Sequence, residues 1–203
     1  MDKKVFAKFN CSKISQKKTF EIILVNDFSK DGTKNLLKSF KKIKNLRIIN
    51  NSKNIGLPSS INKAIHLSRG KYLVRVDSDD YVNKYFLMLM KLFLDSYKKY
   101  QAVEVDYLKV DERNNIISND QKKEKIACGI MFRRECLYEV GLYNTKFKMR
   151  EGHELRRRFT NKFKIGKLTL PLYYYRMHAK NRTKSKKVID YDKILKRRDN
   201  FIN

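Results

Sequence analysis

The sequence predicts an α/β fold in which a Rossmann-type, mostly parallel sheet is flanked by helices. Two observations carry this expectation. Apolar runs of strand length alternate with amphipathic stretches of helix length, as parallel βαβ units require. Two of those runs also end abruptly in polar or acidic residues, and open α/β sheets hold their ligands just outside the carboxyl ends of their strands.

Residues 1–18 are basic and weakly patterned, with Val5, Phe6, Phe9, Cys11 and Ile14 loosely at helical spacing, so a marginal helix is expected. Thr19 to Asp27 is a continuous apolar run, the pattern of a strand covered on both faces. The turn Ser29-Lys30-Asp31-Gly32-Thr33 supplies helix-capping residues, and Leu36, Leu37 and Phe40 would form the buried face of the helix that follows. Leu46 to Asn50 reads as a second strand. Pro58 to Ser68 reads as a helix, with Pro in its first turn and Gly70 closing it.

Lys71 to Val82 is the stretch around which the chain is organised. A run rich in Val, Leu and Tyr reaches Asp77-Ser78-Asp79-Asp80, three carboxylates within four residues. Such groups repel one another, and a bound divalent cation is the usual way to make the arrangement favourable. The plainer alternative is a solvated acidic turn. A core helix over Asn83 to Tyr100, a strand over Ala102 to Tyr107 and a polar loop or hairpin over Asp111 to Lys125 follow. Ile126 to Arg134 is a further strand leading into a short helix that ends near Gly141. A helix beginning at Met149 carries acids at its front and bases behind, as the helix dipole favours. Lys164 to Tyr175 is a β segment, and the tail from Lys180 is a basic surface helix.

With 203 residues and 41% hydrophobic residues, the chain can bury the core of one domain. Its net charge of +27 raises nucleic acid, an anionic membrane surface or a phosphorylated substrate as partners. The basic residues are spread along the chain, however, which also fits a compositional bias rich in Lys, Asn and Ile. Cys11, Cys128 and Cys136 lack the spacing of a metal site or disulfide framework and suit a reducing compartment. No secretory leader is read at Met1, and the most apolar stretch, Tyr85 to Leu94, is too short to cross a bilayer. A cytoplasmic location is the expectation, with the inner face of the membrane as the alternative within it.

Several segments together resemble family 2 glycosyltransferases of the GT-A fold. Val25-Asn26-Asp27-Phe28-Ser29-Lys30-Asp31-Gly32-Thr33 resembles the family's strand-end segment that holds the nucleotide base. Asn54 to Ile65, followed by Gly70-Lys71-Tyr72, resembles its second loop and helix, and Asp77-Ser78-Asp79-Asp80 its metal-binding motif. Met131 to Arg134, Gly141 to Tyr143, Arg150-Glu151 and Pro171 to His178 fit the acceptor half in the right order.

The resemblance implies a single glycosyltransferase domain, with residues 1–107 as the nucleotide-sugar-binding half, 108–183 as the acceptor half and 184–203 as a basic tail. It implies inverting transfer from a nucleotide diphosphate sugar, expected to be UDP-linked, to a hydroxyl of a glycan or lipid-linked glycan. Asn26, Asp27, Ser29, Asp31, Asn54, Asn62 and Asp77 would bind the nucleotide. Asp77, Asp79 and Asp80 would hold Mg²⁺ or Mn²⁺, and Arg176 and His178 could touch the diphosphate. A carboxylate must take the acceptor's proton; the candidates are Glu151 and, one turn on, Glu154, although an acid there could simply serve the helix dipole. Many relatives carry Glu-Asp at this point, where this chain has Glu151-Gly152. Phe28, where Gly is usual, and Ile61, where Arg is common, are further departures.

Family members also open with a strand and a nucleotide-gripping loop ahead of the strand that begins here at Phe20. A parallel crossover needs a dozen or more residues, and only about ten separate Phe9 from Phe20. That strand is therefore expected to be missing, leaving its two neighbours unpaired. Two alternatives stand beside an active transferase: a truncated inactive relative, and, from another class, a basic nucleic-acid-binding protein. No nucleic-acid-binding module is recognisable, so no nucleic acid is expected as a partner.

Overall fold

The computed structural model describes residues 20–118, 126–179 and 181. Two sheets form. The smaller pairs β1 (Ile22–Asn26) with β2 (Leu46–Asn50) in parallel, in register from Ile22 opposite Leu46 to Asn26 opposite Asn50. Their crossover contains α1 (Thr33–Lys38), and α2 (Leu57–Leu67) leads from β2 to β3 (Tyr72–Val74).

The larger sheet has the order β3-β7-β5-β8-β4, with β6 paired to β5. It comprises β4 (Tyr81–Val82), β5 (Ala102–Val110), β6 (Ile116–Ser118), β7 (Ile130–Arg133) and β8 (Ile165–Arg176) besides β3. Helices α3 (Phe86–Ser96), α4 (Arg134–Glu139) and α5 (Glu151–Lys162) complete the described elements. The α/β class and the flanking helices are as predicted. Among the described residues the expected parallel pairing is confined to β1 with β2 and β5 with β8, whereas β3 with β7, β5 with β7, β5 with β6 and β4 with β8 run antiparallel. Helix-length crossovers enforce parallel neighbours in the first half of the chain. In the second half, β5 turns directly into β6 through a loop closed by Asp111, whose carboxylate accepts the N–H groups of Arg113 and Asn115.

Three local expectations are corrected. Helix α1 has only six residues and buries Leu37 alone, while Leu36 is exposed and Phe40 lies beyond the helix end. The run from Lys71 to Val82 is two strands separated by the acidic turn, because Tyr81 and Val82 pair with Tyr174 and Tyr173 of β8. Strand β1 is not covered on both faces: Ile22 to Val25 are only half-buried. The helices expected over residues 1–18 and in the basic tail lie outside the described residues, as do residues 119–125 of the loop or hairpin expected over Asp111 to Lys125. No described helix is long and apolar enough to cross a membrane.

Two apolar clusters fill the second half. Phe86, Met90 and Leu94 of α3 pack with Val103, Val105 and Tyr173 on one side of the large sheet. On the other, Phe132, Leu137, Leu155 and Phe159 surround Ala102 and Ile130, with Ile61 of α2 packed against them. Alternation along β5 sends its side chains into both. Burying side chains this large contributes about 1.5–3 kcal/mol each, so the large sheet is the rigid floor on which the acidic turn is carried.

Candidate active site

At the end of β1, the chain uses its polar residues to hold its own backbone. Asn26 is buried; its Nδ2 donates to Asn50 Oδ1 at 2.9 Å and its Oδ1 accepts the Ser29 N–H at 3.1 Å. Asp27 Oδ1 accepts from Asn51 Nδ2 (3.0 Å) and Ile55 N (2.9 Å), and Oδ2 from Gly56 N (2.8 Å). Burial alone would raise its pKa, but these N–H groups hold the carboxyl below the usual range. Asn54 Nδ2 reaches the Asp27 carbonyl, and Asp31 accepts the Thr33 N–H in an exposed turn. Phe28 has φ of 60° and is exposed. Left-handed backbone costs an aromatic residue what it spares glycine, the residue that the sequence resemblance leads one to expect here.

Asn62 does not join this group. Its amide is spent on the next half of the chain: Nδ2 donates to the Tyr143 carbonyl at 2.8 Å and Oδ1 accepts the Tyr143 N–H at 3.0 Å. An asparagine on α2, expected from the sequence to bind the nucleotide, thus splices that helix to the segment after α4.

The three acids of the turn after β3 take different directions. Asp77 lies against Arg75, which sits two residues before it and so on the same face of the chain. Arg75 Nε and Nη2 grip both Asp77 oxygens at 2.6 and 3.0 Å, and Nη1 donates to Glu151 Oε1 at 2.9 Å. One largely buried guanidinium therefore joins an acid of the turn to the first acid of α5. Asp80 is buried; its Oδ2 accepts from the Tyr173 hydroxyl at 2.6 Å and its Oδ1 from Arg176 N at 2.9 Å. Burial pushes its carboxyl up to about 7, against the pull of those two hydrogen bonds. Asp79 is the most open of the three, and its Oδ2 meets His178 Nε2 at 3.0 Å. Arg176 braces this corner, donating from Nε to the Asp79 carbonyl at 2.8 Å and from Nη1 to the Glu112 carbonyl.

The expected single cluster of Asp77, Asp79 and Asp80 is thus not what forms. Asp77 and Asp80 converge instead with Cys128, their ligand atoms all lying within 4.8 Å of one another. That group is poorly suited to a hard cation: Asp77 is neutralised by Arg75, Asp80 is hydrogen-bonded on both oxygens, and burial pushes the Cys128 thiol well up. Asp79 and His178 fit better. They offer one oxygen and one imidazole nitrogen side by side at the surface, a donor set compatible with Mg²⁺ or, more readily, Mn²⁺.

Neither acid expected as a base is free. Glu154 is 1% exposed, and Arg158 grips both of its oxygens at 2.7 Å while also donating to the carbonyls of Val140 and Leu142. This pair, one helical turn long, closes α5 onto the segment after α4, and the structure places Glu154, a candidate base from the sequence, inside it. Glu151 is 6% exposed and held by Arg75. Between them, Gly152 has no room for any side chain: an added Cβ would stand 2.3 Å from the Ala127 Cβ.

Sequence reasoning passed over Arg75, Tyr173 and Cys128. A lone Arg in an apolar run, two residues before an acid, was the available signal for the first; the other two meet the turn only through contacts between segments distant in sequence.

Comparison with known proteins places this geometry in context. The family model described as Glycosyl transferase family 2 matches residues 4–149. Poly(ribitol-phosphate) beta-N-acetylglucosaminyltransferase TarS of Staphylococcus aureus is 33% identical over 82 residues, 40% of this chain and 14% of that protein. Putative glycosyltransferase EpsE of Bacillus subtilis is 32% identical over 97 residues, 47% of this chain and 35% of that protein. Among solved structures, S. aureus TarS 1–349 in complex with UDP-GlcNAc superposes with a TM-score of 0.70 at 20% identity, covering 82% of this chain and 52% of that one. Mannosyltransferase PcManGT from Pyrobaculum calidifontis, in complex with GDP-Man and Mn²⁺, gives 0.61 at 14% identity, covering 79% and 49%. The fold is thereby that of the GT-A glycosyltransferases, and the chain spans about half the length of these solved structures.

Proposed function

The chain belongs to glycosyl transferase family 2, and we propose that it transfers a sugar, with inversion, from a UDP-linked donor to a hydroxyl of a glycan or lipid-linked glycan. The observation that carries this reading is the acidic turn after β3, where Asp79 stands open beside His178 while its neighbours are held by Arg75, Tyr173 and β8. The likeness to proteins described as transferases and crystallised with UDP-GlcNAc or GDP-Man supports the donor class.

In this reading the segment from Asn26 to Asp31 and the loop at Asn54 receive the nucleotide, Asp27 acting chiefly by fixing that loop's backbone. Asp79 and His178 would hold Mg²⁺ or Mn²⁺, and the ion would supply positive charge against the negative charge developing on the departing diphosphate. Glu151 is the remaining candidate to accept the acceptor's proton, and to do so it must trade its contact with Arg75 for the acceptor hydroxyl. Arg75 then keeps its second partner, Asp77, so that its charge is never left unpaired. Transfer takes place in a cytoplasmic setting, against an anionic membrane if the acceptor is lipid-linked.

A second reading is favoured by one specific observation: Glu151 and Glu154 are ion-paired and the position between them is sealed by Ala127. On that reading the chain binds nucleotide sugar without turning it over. Thermal melting with a panel of nucleoside diphosphates, with and without Mn²⁺, tests the donor site. A ligand at about a hundred times its dissociation constant adds roughly 2.7 kcal/mol of stability. A metal-dependent rise for one nucleotide, lost in Asp79→Ala and in His178→Ala, is expected. A folded protein that shows no such rise refutes both readings, whereas binding without release of UDP in the presence of acceptor glycans favours the second.

A further inference from the structure

From Gly32 to Val76 the sequence contains eleven Lys and Arg residues and no Asp or Glu. The densest part is α1 and the turns that join it to β2. There Lys34, Lys38, Lys41, Lys42 and Lys44 are all exposed, and the ion pairs formed among the described residues include none of them. Like charges gathered this closely on a short segment raise one another's energy unless an anionic partner is present. Two large aliphatic side chains stand among them unburied, Leu36 and Ile43, at 37% and 42% exposure. A groove of about 350 Å³ lies alongside, lined by Lys34, Lys38, Lys41 and Arg47 over Leu37, Leu46 and Ile48.

We infer that this surface, formed by α1 and the turns up to β2, docks the protein on an anionic phospholipid bilayer. Lysines alone would serve any polyanion. Exposed Leu36 and Ile43 separate the possibilities, because a bilayer interface rewards apolar side chains inserted between headgroups, and a soluble phosphate polymer or nucleic acid does not. The segment's aromatic residue, Phe40, is half-buried and offers no stacking platform for bases. The groove gives phosphate headgroups a place beside three lysines, unpaired among the described residues, above an apolar floor, Arg47 at its edge being held by Glu21. The assignment rests on the transferase proposal only for a reason to dock, an acceptor on a lipid carrier; the surface itself is defined by charge and exposure.

The test is co-sedimentation of the full chain with vesicles of phosphatidylcholine alone or enriched in phosphatidylglycerol, without nucleotide. Binding to the anionic vesicles only, reversed by salt, is expected. Lys34→Gln, Lys38→Gln and Lys41→Gln together should weaken it about a hundredfold, at roughly fivefold per lysine near the surface. Leu36→Ser with Ile43→Ser should weaken it at unchanged charge. An equal loss from Lys84→Gln, Lys98→Gln and Lys99→Gln would mean that net charge alone is responsible and overturns the assignment. So would full binding by the Leu36 and Ile43 variant, an outcome that points to a soluble polyanion, and so would failure to sediment at all. Because donor binding is read by melting without vesicles, the two proposals fail separately.

Discussion

Replacing Glu154 with Gln separates a structural acid from a catalytic one. The wild-type carboxylate is almost wholly buried and is gripped through both oxygens by Arg158, whose remaining donors hold the carbonyls of Val140 and Leu142. Removing one partner of a fully buried pair costs about 3–5 kcal/mol, chiefly because the other charge is left uncompensated. Arg158 is 28% exposed, so water recovers part of that cost, and the two carbonyls stay in place. An expected loss of about 2–4 kcal/mol follows. For a chain of this size it corresponds to a fall in melting temperature of roughly 5–15 °C. Urea denaturation followed by circular dichroism measures it, with Arg158→Met and the double variant completing a cycle. The two single losses should overlap strongly, the double variant costing little more than either. The metal-dependent nucleotide shift should survive at temperatures where Glu154→Gln is folded. If instead Glu154→Gln denatures with the wild type while UDP release is abolished, the acid is a base and the assignment to structure is wrong.

Three further outcomes are expected. In the metal-free protein Asp80 has its folded pKa raised to about 7 from an ordinary value of 3.8, so the folded state holds the extra proton. The stability this contributes is complete below about pH 4 and is lost as the pH rises through 7; melts of Asp80→Asn should lack that component, and parallel curves for the two proteins would refute it. Gly152→Ala must displace Ala127 and should cost about 1–3 kcal/mol in denaturant, with Ala127→Gly restoring most of the loss. Phe28→Gly relieves left-handed backbone at an exposed position and should raise stability by about 1 kcal/mol, a gain that vanishes if the ring makes contacts the φ angle does not reveal.

What could be read from the sequence was whatever depends on neighbours along the chain. The acidic turn after an apolar run, the Pro58 entry to α2 and the apolar face of α3 are all local patterns. The division of labour inside the turn was not local. Asp77, Asp79 and Asp80 look alike in sequence; only Arg75, two residues before Asp77, is a near neighbour, while His178 beyond β8 and Tyr173 within it set the fates of Asp79 and Asp80 from almost a hundred residues away. Glu154 and Arg158 stand four apart, the spacing of a helix ion pair, so this contact was local and legible in the sequence. Gly152 has no local reason to be glycine at all, since the reason is the methyl group of Ala127 from a segment more than twenty residues earlier. The shortness of α1 also escaped, because Leu36, Leu37 and Phe40 have helical spacing even though only Leu37 finds a partner inside.

Division of the described strands into two sheets also bears on how the molecule moves. Backbone pairing does not cross from β1 and β2 to the large sheet among the described residues; side-chain ties run through α2 instead, with Glu21 accepting the Arg69 N–H and Arg47 donating to the Leu67 carbonyl at its end, and Asn62 bonding Tyr143 beyond it. A two-stranded layer held in this way opens at lower free energy than the body it leans on. Its amide hydrogens should therefore exchange with solvent as one early set, well ahead of those in β5 and β8. A nucleotide gripped by the end of β1 and the turn after β3 together would slow that set selectively, so deuterium uptake in Ile22–Asn26 becomes a direct gauge of whether the two layers are working as one.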